Sequence, residues 1–140
     1  MLDLNSYLTA SGSYPERASS KELTPDLIKN ANRLLNLVNS LLSELGIASV
    51  KVSSGFRPSG VNAQIANAAK ASLHQQCLAV DILDSKDQTL GKRIAARPDL
   101  LKKYNLFIED LGSTKGQNTN WVHLDCSPTR PDRPSRMFKP

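Results

Sequence analysis

Aromatic and sulfur-bearing side chains are scarce in this chain. Three Phe, three Tyr and one Trp in 140 residues leave few rings to stack bases, and no DNA- or RNA-binding signature accompanies them. Two cysteines are too few for a disulfide-stapled scaffold of this length and point to synthesis in a reducing compartment. Cys77 and Cys126 are compatible with one disulfide, with metal ligation or with free thiols. No run approaches the roughly 18 apolar residues that span a bilayer, so no membrane span is expected. The opening Met-Leu-Asp-Leu-Asn-Ser-Tyr has neither the basic start nor the apolar core of a secretory signal. Cytoplasmic synthesis without a signal peptide is the expectation.

Hydrophobic residues make up 39% of the chain and charged residues 22%, the balance of a folded globular domain. A single domain over residues 1–140 is expected, with an irregular arm at 1–23, an extended tail at 127–140 and a monomeric state. Eighteen Lys and Arg against thirteen Asp and Glu give a net charge of +5. Such a surface favours polyanions. With so few aromatics, an anionic bacterial wall ranks ahead of nucleic acid, and no nucleic-acid partner is expected.

At Thr24-Pro25-Asp26 the pattern becomes helical. Thr24 suits a cap, Pro25 the first turn, and Asp26 the positive end of the helix dipole. Leu27, Ile28, Ala31, Leu34, Leu35, Val38, Leu41, Leu42 and Leu45 then form one apolar stripe, ended by Gly46. About three heptads are too few for a coiled coil, so the stripe reads as a core-facing helix. Period-two alternation at residues 48–53 predicts a strand. A short helix over 61–69, a buried strand at 78–83, a helix capped by Asp84 or Ser85 running to Arg97, and a further turn at Pro98 follow. Strands at 106–108 and 120–126 complete the set. The order predicts an α+β domain with a small, mainly antiparallel sheet and helices packed on it.

The chain has only two histidines. His74 lies in a polar loop, and Asp81 sits inside the apolar strand that follows. A carboxylate there is costly unless paired, hydrogen-bonded or bound to a cation. In Trp121-Val122-His123-Leu124-Asp125, alternation puts Trp121, His123 and Asp125 on one face. Two imidazoles and one carboxylate leave a tetrahedral position open, as in catalytic rather than structural zinc sites. A core histidine and a backbone-satisfied Asp are the competing readings of the same residues.

Ser72-Leu73-His74-Gln75-Gln76-Cys77-Leu78-Ala79-Val80-Asp81 resembles the Ser-Xaa-His-Xaa-Xaa-Gly-Xaa-Ala-Xaa-Asp signature of the M15 peptidases. That family includes zinc D-Ala-D-Ala carboxypeptidases and phage L-alanyl-D-glutamate endolysins, and shares its hedgehog/DD-peptidase fold with hedgehog domains. Ser54-Gly55-Phe56-Arg57-Pro58, with Asn62, is similar to the family's Ser-Gly-aromatic-Arg segment, and Trp121-Val122-His123-Leu124 to its Trp-Xaa-His strand. The tail Arg133-Pro134-Ser135-Arg136-Met137-Phe138-Lys139-Pro140 resembles those of small phage-encoded members. The resemblance implies Zn2+ held by His74, Asp81 and His123, and hydrolysis of peptides in the bacterial wall. It implies that Arg57 binds a substrate carboxylate, with Ser72 supporting the His74 loop and Trp121 beside the substrate. A phage lysis protein or a virion component follows by analogy.

Two departures stand out. Cys77 replaces the signature Gly, which matters if the position requires a positive φ. Cys77 as a fourth ligand would close the site. Many relatives carry an acid three residues before the last His; here it is Asn120, which cannot accept a proton. Asp110 or Glu109 is the preferred replacement base, with Asp125 second. Asn120 also leaves open a non-catalytic module that grips wall material.

Overall fold

The computed structural model describes residues 1–64, 72–128 and 133–140, at 62–64 for the backbone alone. Among the described residues the elements run α1 (Leu4–Thr9), a 3-10 turn (Pro15–Ser19), α2 (Pro25–Glu44), β1 (Val52–Ser54), α3 (Ser59–Gln64), β2 (Ala79–Asp84), α4 (Thr89–Ala95), α5 (Pro98–Lys103), β3 (Phe107–Glu109), β4 (Asn120–Asp125) and β5 (Met137–Phe138). The remainder of the helix expected at 61–69, and the side chain of Asn62, lie outside the described residues.

The α2 helix forms as its sequence predicts. Thr24 Oγ1 accepts from Leu27 N at 3.2 Å, and Pro25 occupies the first turn. Ala31, Leu34, Leu35, Val38, Leu41 and Leu42 are buried along one face. Gly46, at φ 70°, supplies the left-handed step that ends the helix.

The expectation of an irregular arm at 1–23 is corrected. Asp3 caps α1 by accepting from Ser6 N at 2.8 Å, and Tyr7 and Leu8 are buried. The Tyr7 hydroxyl donates to Ala79 O at 2.9 Å, tying α1 to β2. Burial of Tyr7 holds a helix too short to persist by itself. A second correction concerns the helix expected from Asp84 or Ser85. It begins at Thr89, yet Asp84 still accepts from Leu90 N and Gly91 N, at 2.9 and 2.8 Å.

The sheet has the order β1-β2-β4-β3-β5. Its first three pairings are antiparallel and β5 joins β3 in parallel. The fold is therefore α+β with a mixed, mostly antiparallel sheet, and the extended tail contributes a strand. Val80, Ile82, Val122, Leu124 and Ile108 share one buried cluster with the apolar face of α2. Strand alternation turns Asp81, Trp121, His123 and Asp125 to the opposite face. Among the described residues, no helix is long and apolar enough to cross a membrane.

Candidate metal centre

Strand register brings the site together. Asp81 on β2 pairs directly with His123 on β4. The loop before β2 then folds His74 over the same rung. One ligand atom from each of His74, Asp81 and His123 lies within 4.8 Å of the others. His74 Nε2 is 3.3 Å from Asp81 Oδ2, and His123 Nδ1 is 2.9 Å from Asp81 Oδ1.

The partners on the far side of each ring orient the ligands. His74 Nδ1 faces Gly55 O at 2.8 Å, so that nitrogen carries the proton and Nε2 turns its lone pair to the space shared with Asp81 and His123. Two acceptors at 3.3 Å attract only when positive charge lies on the ring or between them. His123 Nε2 meets Asp125 Oδ2 at 3.1 Å, leaving Nδ1 for the cluster. Histidine ligands held by a carbonyl or a carboxylate on the second nitrogen are the usual arrangement around a divalent cation. The donor set fits a metal.

Electrostatics follow this geometry. Burial works to raise the Asp81 carboxyl, but His74 and His123 outweigh it and hold Asp81 far below the ordinary carboxylate range. Burial works to lower His123, yet its bonds to Asp125 and Asp81 push it up to about 10 in the metal-free protein. Arg57 adds positive charge, with Nη2 3.1 Å from Asp81 Oδ2 and Nε donating to Ser54 Oγ at 3.0 Å.

The acids proposed for proton transfer separate by environment. Glu109 Oε2 lies 3.9 Å from His123 Nδ1, and its side chain is 17% exposed. Burial raises its carboxyl; His123 opposes this, while Asp81 and Asp125 add to the rise. Asp125 is fully buried, and Arg133 Nη1 contacts its two oxygens at 2.8 and 3.0 Å. Against the effect of burial, His123 and Arg133 keep it low. Asp110, one residue past β3, is not brought to His123; its Oδ2 lies 3.0 Å from where a Cβ on Gly112 would stand. Asn120 donates to Ser85 O and Lys86 O at 3.2 and 3.0 Å, which ties β4 to the turn after β2.

Ser72 is buried, and its Oγ accepts from His74 N at 3.2 Å, so it shapes the loop that carries His74. Trp121 is half-buried on the site face, two residues from His123. Cys77 has φ 56°, the left-handed conformation the signature Gly would supply. Its buried thiol packs in the apolar core and is pushed up to about 11 by burial, with Tyr7 as a hydrogen-bonding neighbour. It stands outside the ligand group, and both cysteines are free. Sequence reasoning missed the Gly55 carbonyl, Arg133 and Phe138. Gly55 left a signal through its place in the Ser-Gly-Phe-Arg segment, whereas the tail motif that holds Arg133 and Phe138 gave no sign of their contact with the site.

The Peptidase M15 family profile matches residues 13–125, most of the chain and all three ligand candidates. No curated protein and no solved structure matches the chain. The family carries the hedgehog/DD-peptidase fold, with which the mixed sheet and its helices agree. With the ligand triad already placed on one rung of that sheet, the sequence match and the geometry lead to one conclusion: the chain belongs to the Peptidase M15 family and is a metallopeptidase.

Proposed function

We propose that the bound metal is zinc and that the substrate is a peptide of the bacterial peptidoglycan stem. The observation that supports the metal is the Asp81–His123 rung with His74 folded over it, and the substrate class rests on the family likeness. Two imidazole nitrogens and one carboxylate oxygen are the donor set of catalytic zinc. Zinc, when bound, polarises a carbonyl and makes a water more acidic.

The protein's own groups do the rest. Glu109 accepts the proton of the attacking water at Oε2 and returns it to the leaving amine. Its raised carboxyl suits that exchange, whereas Asp125 is engaged with Arg133 and orients His123. Arg57 holds a stem-peptide carboxylate, its planar guanidinium retaining donors beyond those given to Asp81 and Ser54. Trp121 supplies an apolar wall beside His123. The net charge of +5 supports association with an anionic wall. A phage lysis or virion role is the setting we propose, on the likeness of the tail to small phage-encoded members.

Purified sacculi and defined stem peptides are the test, with new termini identified by mass spectrometry. Wild type should release fragments, chelation should stop release, added zinc should restore it, and His123→Ala should be inert. The new termini identify which bond is cut. Hydrolysis that survives exhaustive chelation would rule out the metal mechanism, and zinc-loaded enzyme inert on every stem peptide would rule out the substrate class.

A further inference from the structure

We propose that residues 133–140 complete the metal centre, with Arg133 a positioning residue that acts through Asp125 to hold His123 in its ligand pose. This rests on reading His74, Asp81 and His123 as a metal centre. The segment lies beyond residues 13–125, which the family profile matches.

A chain of contacts from Arg133 to His123 carries the inference. Arg133 is 8% exposed, and its Nη1 reaches Asp125 Oδ1 and Oδ2 at 2.8 and 3.0 Å and Ser127 Oγ at 3.1 Å. Asp125 Oδ1 also accepts from Ser127 N and Oγ, at 3.3 and 3.0 Å, while Oδ2 faces His123 Nε2 at 3.1 Å. The tail thus reaches a ligand through one buried carboxylate. The guanidinium is seated between two rings, 3.6 Å from the Phe138 centroid and 5.2 Å from that of Phe107. Phe138 also meets His123 edge to face, with centroids 5.9 Å apart.

The parallel pairing of β5 with β3 fixes this arrangement. Ile108 N donates to Arg136 O at 2.8 Å, and Asp110 N to Phe138 O at 2.7 Å. A buried carboxylate without its cation would turn toward solvent or draw in water. Arg133 prevents that, and Asp125 stays fixed as the acceptor for His123 Nε2–H. With Nε2 held by Asp125, Nδ1 is the nitrogen that His123 turns to the space shared with His74 and Asp81. Such outer partners commonly alter metal affinity by about 10–100-fold.

Zinc affinity, measured by chelator competition on full-length chains, tests the proposal, with melting of the metal-free proteins followed in parallel. Arg133→Gln should weaken zinc binding about 10–100-fold. Arg133→Lys should restore most of the loss, because a single cationic nitrogen makes all the contacts to Asp125. Arg133→Gln combined with Asp125→Asn should bind no more weakly than Asp125→Asn alone. Phe138→Leu, which unseats the guanidinium without removing charge, should weaken binding several-fold and guards against an unfolded Arg133 variant. Wild type that loads zinc while folded Arg133→Gln binds equally well would overturn this inference alone, as would losses that multiply in the double variant. Wild type that takes up no zinc would overturn the metal reading, and this inference with it.

Discussion

Glu109 and Asp125 lie on adjacent strands beside the same imidazole, yet their surroundings shift their carboxyls in opposite directions. His123 and Arg133 keep Asp125 ionised, and two Ser127 donors occupy it further. Glu109 has no such partners among the described residues, and burial raises it. Glu109→Gln should therefore lower kcat about 10²–10⁴-fold, while zinc affinity stays within a few-fold of wild type. Steady-state kinetics with metal analysis checks this, and a variant that loses zinc in step with activity would place Glu109 among the ligands instead. Two histidines and one acid inside an apolar strand made the three ligand candidates visible, and only the likeness of their motifs to the M15 signature set them above the competing core readings. Glu109 and Asp110 were not told apart in the sequence, since they are neighbours and only the fold brings Glu109 to His123.

At the scale of elements, α1 and β1 meet where Gly55 passes the backbone of Tyr7. A Cβ at Gly55 would stand 2.0 Å from Tyr7 O, a carbonyl that cannot move without unseating α1. The same glycine offers the carbonyl that orients His74. Gly55→Ala should cost at least about 3 kcal/mol in a urea melt, and zinc affinity should fall with it. A variant as stable as wild type would show that the close approach is not maintained in solution. The α2 helix was legible over its whole length because cap, stripe and stop agree. The α1 helix was not: six residues give too little periodicity, and its cap and buried Tyr7 matter only once β2 is in place. Strand β5 was hidden for a related reason, since two residues pair only because β3 offers a free edge.

For the molecule as a whole, the charge cluster links stability, pH and metal. In the metal-free protein, His123 is raised from 6.5 to about 10. Its stabilisation is fully present below about pH 6.5 and is lost as pH rises through about 10. Asp81 and Asp125 are depressed, so their stabilisation holds above the ordinary value of 3.8 and is lost on acidification below it. Thermal midpoints of metal-free protein should therefore be highest in mild acid and decline between pH 7 and 10. Zinc needs neutral His123, so the zinc-induced rise in midpoint should grow over that same range. A metal-free midpoint that does not change across it would contradict the charged-imidazole description.

Calorimetric titration of zinc into wild type and Asp81→Asn tests the central claim most directly. The account predicts one tight site per chain in wild type, lost in the variant although the variant stays folded. Equal zinc uptake by the two proteins, or none by wild type, would contradict it.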